Sequence, residues 1–462
     1  MRTPSVTPDP ASVLNCRPRI SIIPRLFVQQ FLSVLPVTTT RHGAYLIILT
    51  ILALIFSWPA LRGALPPGVD TPTFLHLSWV TKLAVTRELA HPTTDPYWYG
   101  GFPYLQAYSP LSYGAVGVTS AITTLDIIIV YRVALVFSYI ALGLTTYGAA
   151  LWLGVRWWLS ALGGILIMLS YPVLTAMFFW GWFSTAMALP IGLVAFVLLE
   201  HAAWRNKLNV AAIGGSLLAL SVLIHHMTAF ALCLGMITWF LFHLTTRTFP
   251  FKRLVRVVVV YVGIATLVAS PWAIPFLIHW VNVDFQRPVP GNWIFTLNEY
   301  RQVLLYSDNI GRFFYPSYFG AFLLPVGLMG VIYSLIAGKR YAGVAIMALV
   351  FLWFSLGAKG NVLYYYAPFS GLDVARFHFF STPFLILGLC VLSNGVIDIL
   401  KERWKPLVQP AIIWGATALF FSSFVAIFWI DAWKARELVE PFRVEPQVKQ
   451  ALQWTSNLPI PD

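Results

Sequence analysis

The sequence predicts an all-α protein built as a polytopic bundle of transmembrane helices. Hydrophobic residues make up 58% of the 462-residue chain and charged residues only 10%, which excludes an ordinary soluble globule. Apolar runs of about 18 or more residues recur along its length, each long enough to cross the hydrocarbon core as a helix. Because lipid offers no partner to backbone N–H and C=O groups, repeated runs of this length indicate helices.

Basic residues are clustered in the short connections between the apolar runs. We therefore attribute the net charge of +13 to the positive-inside rule and expect no nucleic-acid partner. An excess of arginine over acid predicts that residues 1–42 are a basic cytoplasmic segment. Cys16, Cys233 and Cys390 lie too far apart in the sequence to form a metal-binding or disulfide motif.

Twelve apolar runs are candidate spans, and together they predict a transmembrane module at residues 43–430. The runs are 44–60, 109–124, 128–153, 159–176, 183–199, 208–224, 227–245, 257–280, 317–337, 342–357, 377–398 and 409–430. Two long breaks are expected to be outer loops, at residues 61–108 and 281–316. The polar residues 431–462 are expected to begin an extracytoplasmic tail that is short or truncated.

From residue 155 onward the connections between spans are alternately basic and acidic, which predicts that they lie alternately inside and outside the membrane. The spans before residue 155 conflict with this prediction. If every run crosses the membrane, Arg156 falls on the outer side, whereas the alternation after it requires Arg156 inside. Either one segment between residues 104 and 154 does not cross, or an extra crossing exists. We therefore expect 11–13 spans, with the first loop and the C-terminal tail on the same, outer side.

The first outer loop begins with Asp70, which follows a Pro-Pro-Gly turn. The segment 73–89 has an apolar face and predicts an interfacial helix, with Asp70 or Thr71 as its N-cap and Pro72 in its first turn. A carboxylate beside a membrane is costly to keep without a partner or a role. Asp70 is therefore a helix cap, a catalytic or ligand-binding carboxylate, or both.

The same loop ends in a segment that combines Asp95 with several aromatic residues. Asp95 precedes Pro96, so it is either a turn former or a functional carboxylate. Trp98, Tyr99 and Tyr108 belong either to an aromatic membrane belt or to a surface that stacks on sugar rings.

Three further polar residues lie at the outer ends of later spans. His225 and His226 are adjacent, and on a helix their side chains point about 100° apart, so they do not by themselves chelate one metal. They either pack between helices or face a cavity. Arg376 opens a span from the outer side and needs an anionic partner, which is either Asp373 or a phosphate.

Taken together, these motifs resemble the GT-C superfamily of membrane glycosyltransferases. The shared features are a long outer loop that opens with Asp70, His76 six residues later, and the aromatic segment 98–110. With the paired histidines and Arg376, the chain resembles more narrowly the membrane proteins described as 6-pyruvoyl-tetrahydropterin synthase-related. Nothing in the sequence suggests the soluble fold or the zinc site of a pterin synthase.

The resemblance implies a GT-C-type bundle that transfers a sugar from a polyprenyl-phosphate donor to an acceptor on the outer face. It implies Asp70 as the general base, with Asp95 second, and Arg376 as the group that stabilises the departing phosphate. Many members carry paired acids in this loop and this chain has none, so no cofactor or metal is predicted. We assign substrate binding to His76, Trp98, Tyr99, Tyr108, His225, His226 and Arg376.

Two other classes of function stay open at this stage. A transporter or lipid flippase is suggested by proline-broken spans, although no half-repeat is visible and the spans hold almost no charge. A non-catalytic scaffold derived from the GT-C fold is compatible with the missing acid pair. In each case we expect a multi-pass integral membrane protein of a prokaryotic plasma membrane, surrounded by membrane lipids. For the transferase, the partner is a lipid-linked sugar donor, and no oligomeric state is predicted.

Overall fold

A computed structural model describes residues 39–62, 65–89, 94–95, 103–282, 319, 322–366, 369, 372–404 and 410–437. The chain divides into two compact units, residues 1–42 and 43–462. The predicted basic segment 1–42 lies outside the described residues except for its last four. Also outside the described residues are residues 438–462 of the predicted tail and residues 283–316 of the predicted second outer loop.

Sixteen α-helices follow one another along the described chain. The first eight are α1 (Thr39–Leu61), α2 (Thr71–Val85), α3 (Tyr104–Ala107), α4 (Leu111–Thr123), α5 (Ile127–Trp152), α6 (Trp157–Leu169), α7 (Tyr171–Leu174) and α8 (Phe183–Arg205). The others are α9 (Leu208–Ile224), α10 (His226–Thr245), α11 (Phe251–Asn282), α12 (Leu323–Ala337), α13 (Ala342–Phe354), α14 (Gly357–Gly360), α15 (Val374–Trp404) and α16 (Pro410–Glu437).

The prediction of a polytopic helical bundle is confirmed, and each of the twelve apolar runs contains a helix. Six helices are long and apolar enough to cross a membrane: α1, α5, α8, α10, α11 and α15. The bent unit of α6, α7 and the π-helical turn Thr175–Phe179, whose two parts meet at 49°, is either a broken seventh span or a re-entrant segment. Three shorter apolar helices, α9, α12 and α13, lie among them.

One face of the bundle collects basic residues, and we call it the basic face. There Arg156 Nη2 lies 2.5 Å from Asp398 Oδ1, which joins the start of α6 to the end of α15. Arg340 donates to the carbonyl oxygen of Trp152 at 2.6 Å, and Lys339 donates to that of Thr246 at 3.0 Å. By the positive-inside rule we expect the basic face to be cytoplasmic.

The opposite face, which we call the loop face, holds both ends of α4. The carbonyl oxygen of Ala60, at the end of α1, accepts a hydrogen bond from Arg132 Nε near the start of α5 at 3.1 Å. Just before α4, Ser109 is hydrogen-bonded to His226 at 2.9 Å, and just after it Asp126 caps α5. Helix α4 also packs against α2, so closely that Gly117 has no room for a side chain beside the backbone of Ser78.

We therefore infer that α4 lies along the loop face and is not a crossing, contrary to the expectation of a span at residues 109–124. Neither the six candidate spans nor the three shorter apolar helices include α4. This resolves the conflict at Arg156: α1 and α5 are consecutive crossings. Among the described helices six, or seven with the bent unit, are long and apolar enough to cross, so the expected number of 11–13 spans stays a prediction. Helix α16 ends beside Phe56, near the loop-face end of α1.

Candidate functional site

The candidate site lies on the loop face, where five segments from four distant regions of the sequence meet. They are the turn before α2, the end of the bent α6–α7 unit, the start of α8, the junction of α9 with α10, and the start of α15. Each places at least one polar side chain in the cluster: Asp70, Trp182, Thr185, His225, Asp373 and Arg376.

Asp70 is held by its backbone and leaves its carboxylate free for another partner. Its N–H donates to the carbonyl oxygen of Trp180 at 2.8 Å. Although Asp70 immediately precedes α2, its side chain makes no capping hydrogen bond to that helix. The capping role that the sequence allowed is therefore not realised. The carboxylate instead points to Arg376, with Oδ2 3.5 Å from Nη2.

Two glycines permit this turn to lie against the bent helix. Gly68 has φ of +126° and Gly181 has φ of +70°, both in the region that side-chain-bearing residues rarely adopt. A Cβ atom on Gly68 would come within 2.6 Å of the Cα atom of Gly181. The contact therefore requires glycine, and it fixes the distance between the Asp70 turn and the end of the bent unit.

Arg376 is the centre of the cluster and has four neighbours. Its Nε donates to Asp373 Oδ2 at 3.2 Å, and its Nη1 donates to Thr185 Oγ1 at 2.7 Å. One flat side of the guanidinium lies over the ring of Trp182, 4.5 Å from the ring centroid. The fourth neighbour is Asp70, so both carboxylates of the cluster share one cation.

Burial acts on both carboxylates in the same direction. It raises the pKa of Asp70 and that of Asp373 above the ordinary value, while Arg376 works in the opposite direction on each. The side chain of Asp70 is 37% exposed and that of Asp373 22% exposed. Asp70 is therefore the carboxylate that a molecule arriving from the membrane surface meets first.

His225 is a neutral imidazole whose tautomer follows from its hydrogen bonds. Its Nδ1 accepts the backbone N–H of Thr228 at 3.2 Å, so Nδ1 carries no proton and the ring hydrogen lies on Nε2. Burial lowers the pKa of His225 well below its usual range, and Arg376 adds to this effect. The same Nδ1 lies 3.5 Å from Thr185 Oγ1, which connects His225 to the guanidinium.

His226 and Tyr108 form the adjoining wall. His226 Nδ1 is 2.9 Å from Ser109 Oγ, and its ring packs on Phe276, with centroids 4.9 Å apart. The ring of Tyr108 lies 6.1 Å from that of His225 and 5.7 Å from that of His226. Burial raises the pKa of Tyr108 to about 12, so its hydroxyl stays protonated. Tyr108 thus lines the cluster rather than a membrane belt.

Asp95 and His76 form a separate pair along α2. Asp95 is fully buried, and its Oδ2 lies 2.6 Å from Nε2 of His76, whose side chain is 32% exposed. Six residues of helix separate His76 from Asp70, a rise of about 9 Å. Asp95 therefore acts on His76, whereas Asp70 belongs to the arginine cluster.

The sequence identified some members of the cluster and missed others. Asp70, His225 and Arg376 meet as expected from their common side of the membrane, and Asp373 is the partner that the sequence offered for Arg376. Trp98 and Tyr99 lie outside the described residues. Thr185 and Trp182 were missed, and the signal for Trp182 was the aromatic Trp-Gly-Trp interruption between two spans. Within the described ranges, no three His, Cys, Asp or Glu side chains group closely enough to hold a metal ion.

Comparison with sequence families finds one match. The model of the 6-pyruvoyl-tetrahydropterin synthase related domain, described as a membrane protein, matches residues 105–439. No curated protein matches the sequence significantly.

Comparison with solved structures finds membrane glycosyltransferases of the GT-C class. The archaeal oligosaccharyltransferase AglB from Archaeoglobus fulgidus, in complex with an inhibitory peptide and a dolichol-phosphate, superposes with a TM-score of 0.58 at 13% identity over 91% of this chain. The arabinofuranosyltransferase AftD from Mycobacteria gives 0.58 at 16% identity over 90% of this chain and 28% of its own. ArnT from Cupriavidus metallidurans, bound to undecaprenyl phosphate, gives 0.50 at 12% identity over 87% of this chain and 77% of its own.

These likenesses show that the chain has a GT-C-like fold. At such low identity they show the fold alone. The chain spans 58% of the length of the Archaeoglobus protein, so that protein's activity does not transfer with the fold.

Proposed function

The chain belongs to the 6-pyruvoyl-tetrahydropterin synthase-related family of membrane proteins, and from that premise we propose that it is a membrane-embedded glycosyltransferase. It moves a sugar from a polyprenyl-phosphate-linked donor to an acceptor on the extracytoplasmic face. The membrane is the plasma membrane of a prokaryote, and no cofactor takes part.

The observation that carries this proposal is the ion pair of Asp70 and Arg376 at the loop face of a GT-C-like bundle. A carboxylate that can take a proton lies 3.5 Å from a cation that can hold a phosphate. Two of the similar structures contain dolichol-phosphate or undecaprenyl phosphate, which supports a donor of the same chemical class.

In the proposed reaction the acceptor hydroxyl oxygen attacks the anomeric carbon of the donor sugar. The bond between that carbon and the phosphate oxygen breaks, and the polyprenyl phosphate leaves with the electron pair. Asp70 takes the hydroxyl proton as general base, and Arg376 offsets the charge that develops on the leaving phosphate. Because Arg376 is fixed by Thr185 and Asp373, it needs no reorientation during the reaction.

The remaining candidate residues are proposed to bind substrate. Tyr108, His225 and His226 line the side of the cluster where the donor sugar would lie, and aromatic and imidazole rings offer flat surfaces with polar edges. His76, oriented by Asp95, is placed to bind the acceptor farther along α2. Trp98 and Tyr99 are proposed to stack on a sugar ring.

The test is an Asp70→Asn variant in proteoliposomes supplied with monosaccharides linked to undecaprenyl or dolichyl phosphate and with a glycan and lipid extract as acceptor. Release of the polyprenyl phosphate is measured. Loss of a general base lowers the rate by about 10²- to 10⁴-fold, and we expect a loss in this range.

Asp126→Asn is the matched control. Asp126 is another acid on the loop face, but it caps α5, and asparagine caps a helix equally well. Full activity of Asp70→Asn would overturn the base assignment. If the wild-type protein released no polyprenyl phosphate from any donor, the proposal of a transferase would be wrong, and a transporter or a non-catalytic scaffold would be favoured.

A further inference from the structure

We propose that the donor phosphate and Asp70 compete for one edge of Arg376, so that Asp70 is released as a base only when the donor is bound. This inference rests on the proposed function and adds an order of events to it. The phosphate replaces Asp70 at Nη2, and the freed carboxylate then faces the acceptor.

Three of the four neighbours of the guanidinium hold it at positions other than Nη2. Asp373 occupies Nε at 3.2 Å, Thr185 occupies Nη1 at 2.7 Å, and Trp182 covers one flat side. The contact from Nη2 to Asp70 measures 3.5 Å, whereas charge-assisted hydrogen bonds are usually about 2.7–2.9 Å long. The contact with Asp70 is therefore the longest of the three hydrogen bonds that the guanidinium makes, and it is the one that a phosphate oxygen displaces most readily.

The two carboxylates differ in how firmly they are held. Asp373 Oδ1 also accepts the backbone N–H of Ala375 at 3.0 Å, so Asp373 is bound to the start of α15 as well as to Arg376. The Asp70 side chain makes no capping bond to α2 and is the more exposed of the two. Rotation of Asp70 about its side-chain torsions leaves its backbone bond to Trp180 intact.

Electrostatic repulsion favours the replacement of Asp70 by phosphate at Nη2. One guanidinium faces two carboxylates, and a phosphate brings further negative charge to a cation that stays protonated. His225 adds no positive charge, because its Nδ1 accepts a backbone N–H. Phosphate and Asp70 therefore repel each other at Nη2, and this repulsion moves Asp70 toward the open surface.

For the chemistry, this exchange means that Asp70 does not act as a base before the donor is bound. While Asp70 is paired with Arg376, its basicity is lowered, and it is a poor base toward water or an unpaired acceptor. When the phosphate takes its place, the carboxylate loses its counterion and becomes a stronger base beside the sugar that is to be transferred. Binding of the donor thus activates the base.

The test measures binding of undecaprenyl phosphate, without any sugar, to the full chain in lipid nanodiscs by native mass spectrometry. Asp70→Asn removes the internal competitor, so we expect binding about 3- to 10-fold tighter than that of the wild-type protein. Asp373→Asn removes a group that positions Arg376, so we expect weaker binding.

Two further variants separate positioning from general damage. Thr185→Val removes the hydroxyl that accepts from Nη1 and weakens binding, whereas Thr185→Ser keeps that hydroxyl and restores it. Asp126→Asn, remote from the cluster, leaves binding unchanged.

The outcomes distinguish this inference from the proposed function. If the wild-type protein binds undecaprenyl phosphate and Asp70→Asn binds it equally or more weakly, the exchange is wrong and the donor class stands. If no variant binds it, Asp70→Asn included, the donor class is wrong and the exchange fails with it.

Discussion

At the scale of single residues, the protonation of Asp70 depends on two opposed influences. Its partly apolar surroundings raise the pKa, the guanidinium of Arg376 lowers it, and the net direction is upward. A general base works only when ionised, so activity is lost as the pH falls through this raised pKa. We expect the acid limb of the kcat/KM profile to lie above about pH 4, the ordinary value for aspartate.

The measurement is polyprenyl-phosphate release between pH 4 and pH 8. Asp70→Glu should move the acid limb upward by about 0.4 pH unit, because glutamate has the higher intrinsic pKa. A limb that stays in place in this variant would belong to another group, such as Asp373, and a rate that is flat down to pH 4 would contradict the assignment.

Asp95 provides a contrast with Asp70. Its carboxylate is fully buried against His76, so it orients an imidazole and does not reach an acceptor. We expect Asp95→Asn to raise KM for the acceptor by less than about tenfold with little change in kcat, since asparagine still pairs with His76. The check is the kinetics of both variants side by side. A loss in Asp95→Asn as large as in Asp70→Asn would make Asp95 an equal candidate for the base.

Sequence reasoning found the charged members of the site and missed two neutral ones, Thr185 and Trp182, for a physical reason. Charges such as Asp70 and Arg376 are conspicuous at a membrane because their desolvation is costly. A threonine at the start of an apolar helix carries no such cost, so nothing in the sequence marks Thr185. The pairing of His76 with Asp95 was also hidden, because it depends on how the loop folds back on α2.

At the scale of helices, the sequence of α4 is like that of a membrane span, although the helix packs against α2. It is apolar and begins after a proline, as a span does, but it buries its small residues against α2 on the loop face. Composition cannot separate these two environments, because a helix facing another helix and a helix facing lipid are both apolar.

The position of α4 is testable by cysteine labelling in a variant lacking Cys16, Cys233 and Cys390. We expect a membrane-impermeant maleimide to label Thr123→Cys, at the end of α4, in intact cells. Lys207→Cys, on the basic face, should react only after the membrane is permeabilised. Both positions are exposed, so access to solvent is comparable. If Thr123→Cys also needed permeabilisation, α4 would be a true crossing.

At the scale of the whole molecule, the hydrophobic pattern was sufficient to predict the bundle, and charge alternation predicts its topology. Apolar runs report directly on burial in lipid, and basic connections report on the cytoplasmic side. The way helices pack was beyond the sequence, because a uniformly apolar helix shows no preferred face. The bend of 49° between α6 and α7, which brings Trp180 to the Asp70 turn, is such a feature.

The ion pair of Asp70 and Arg376 joins residues 306 positions apart, and this has a consequence in time. At about 5–20 residues per second of synthesis, the arginine follows the aspartate by roughly 15–60 s. During that interval the first loop lacks this counterion. The ion pair thus becomes complete only when one of the last helices has been made, and a chain interrupted earlier carries the acid without the cation.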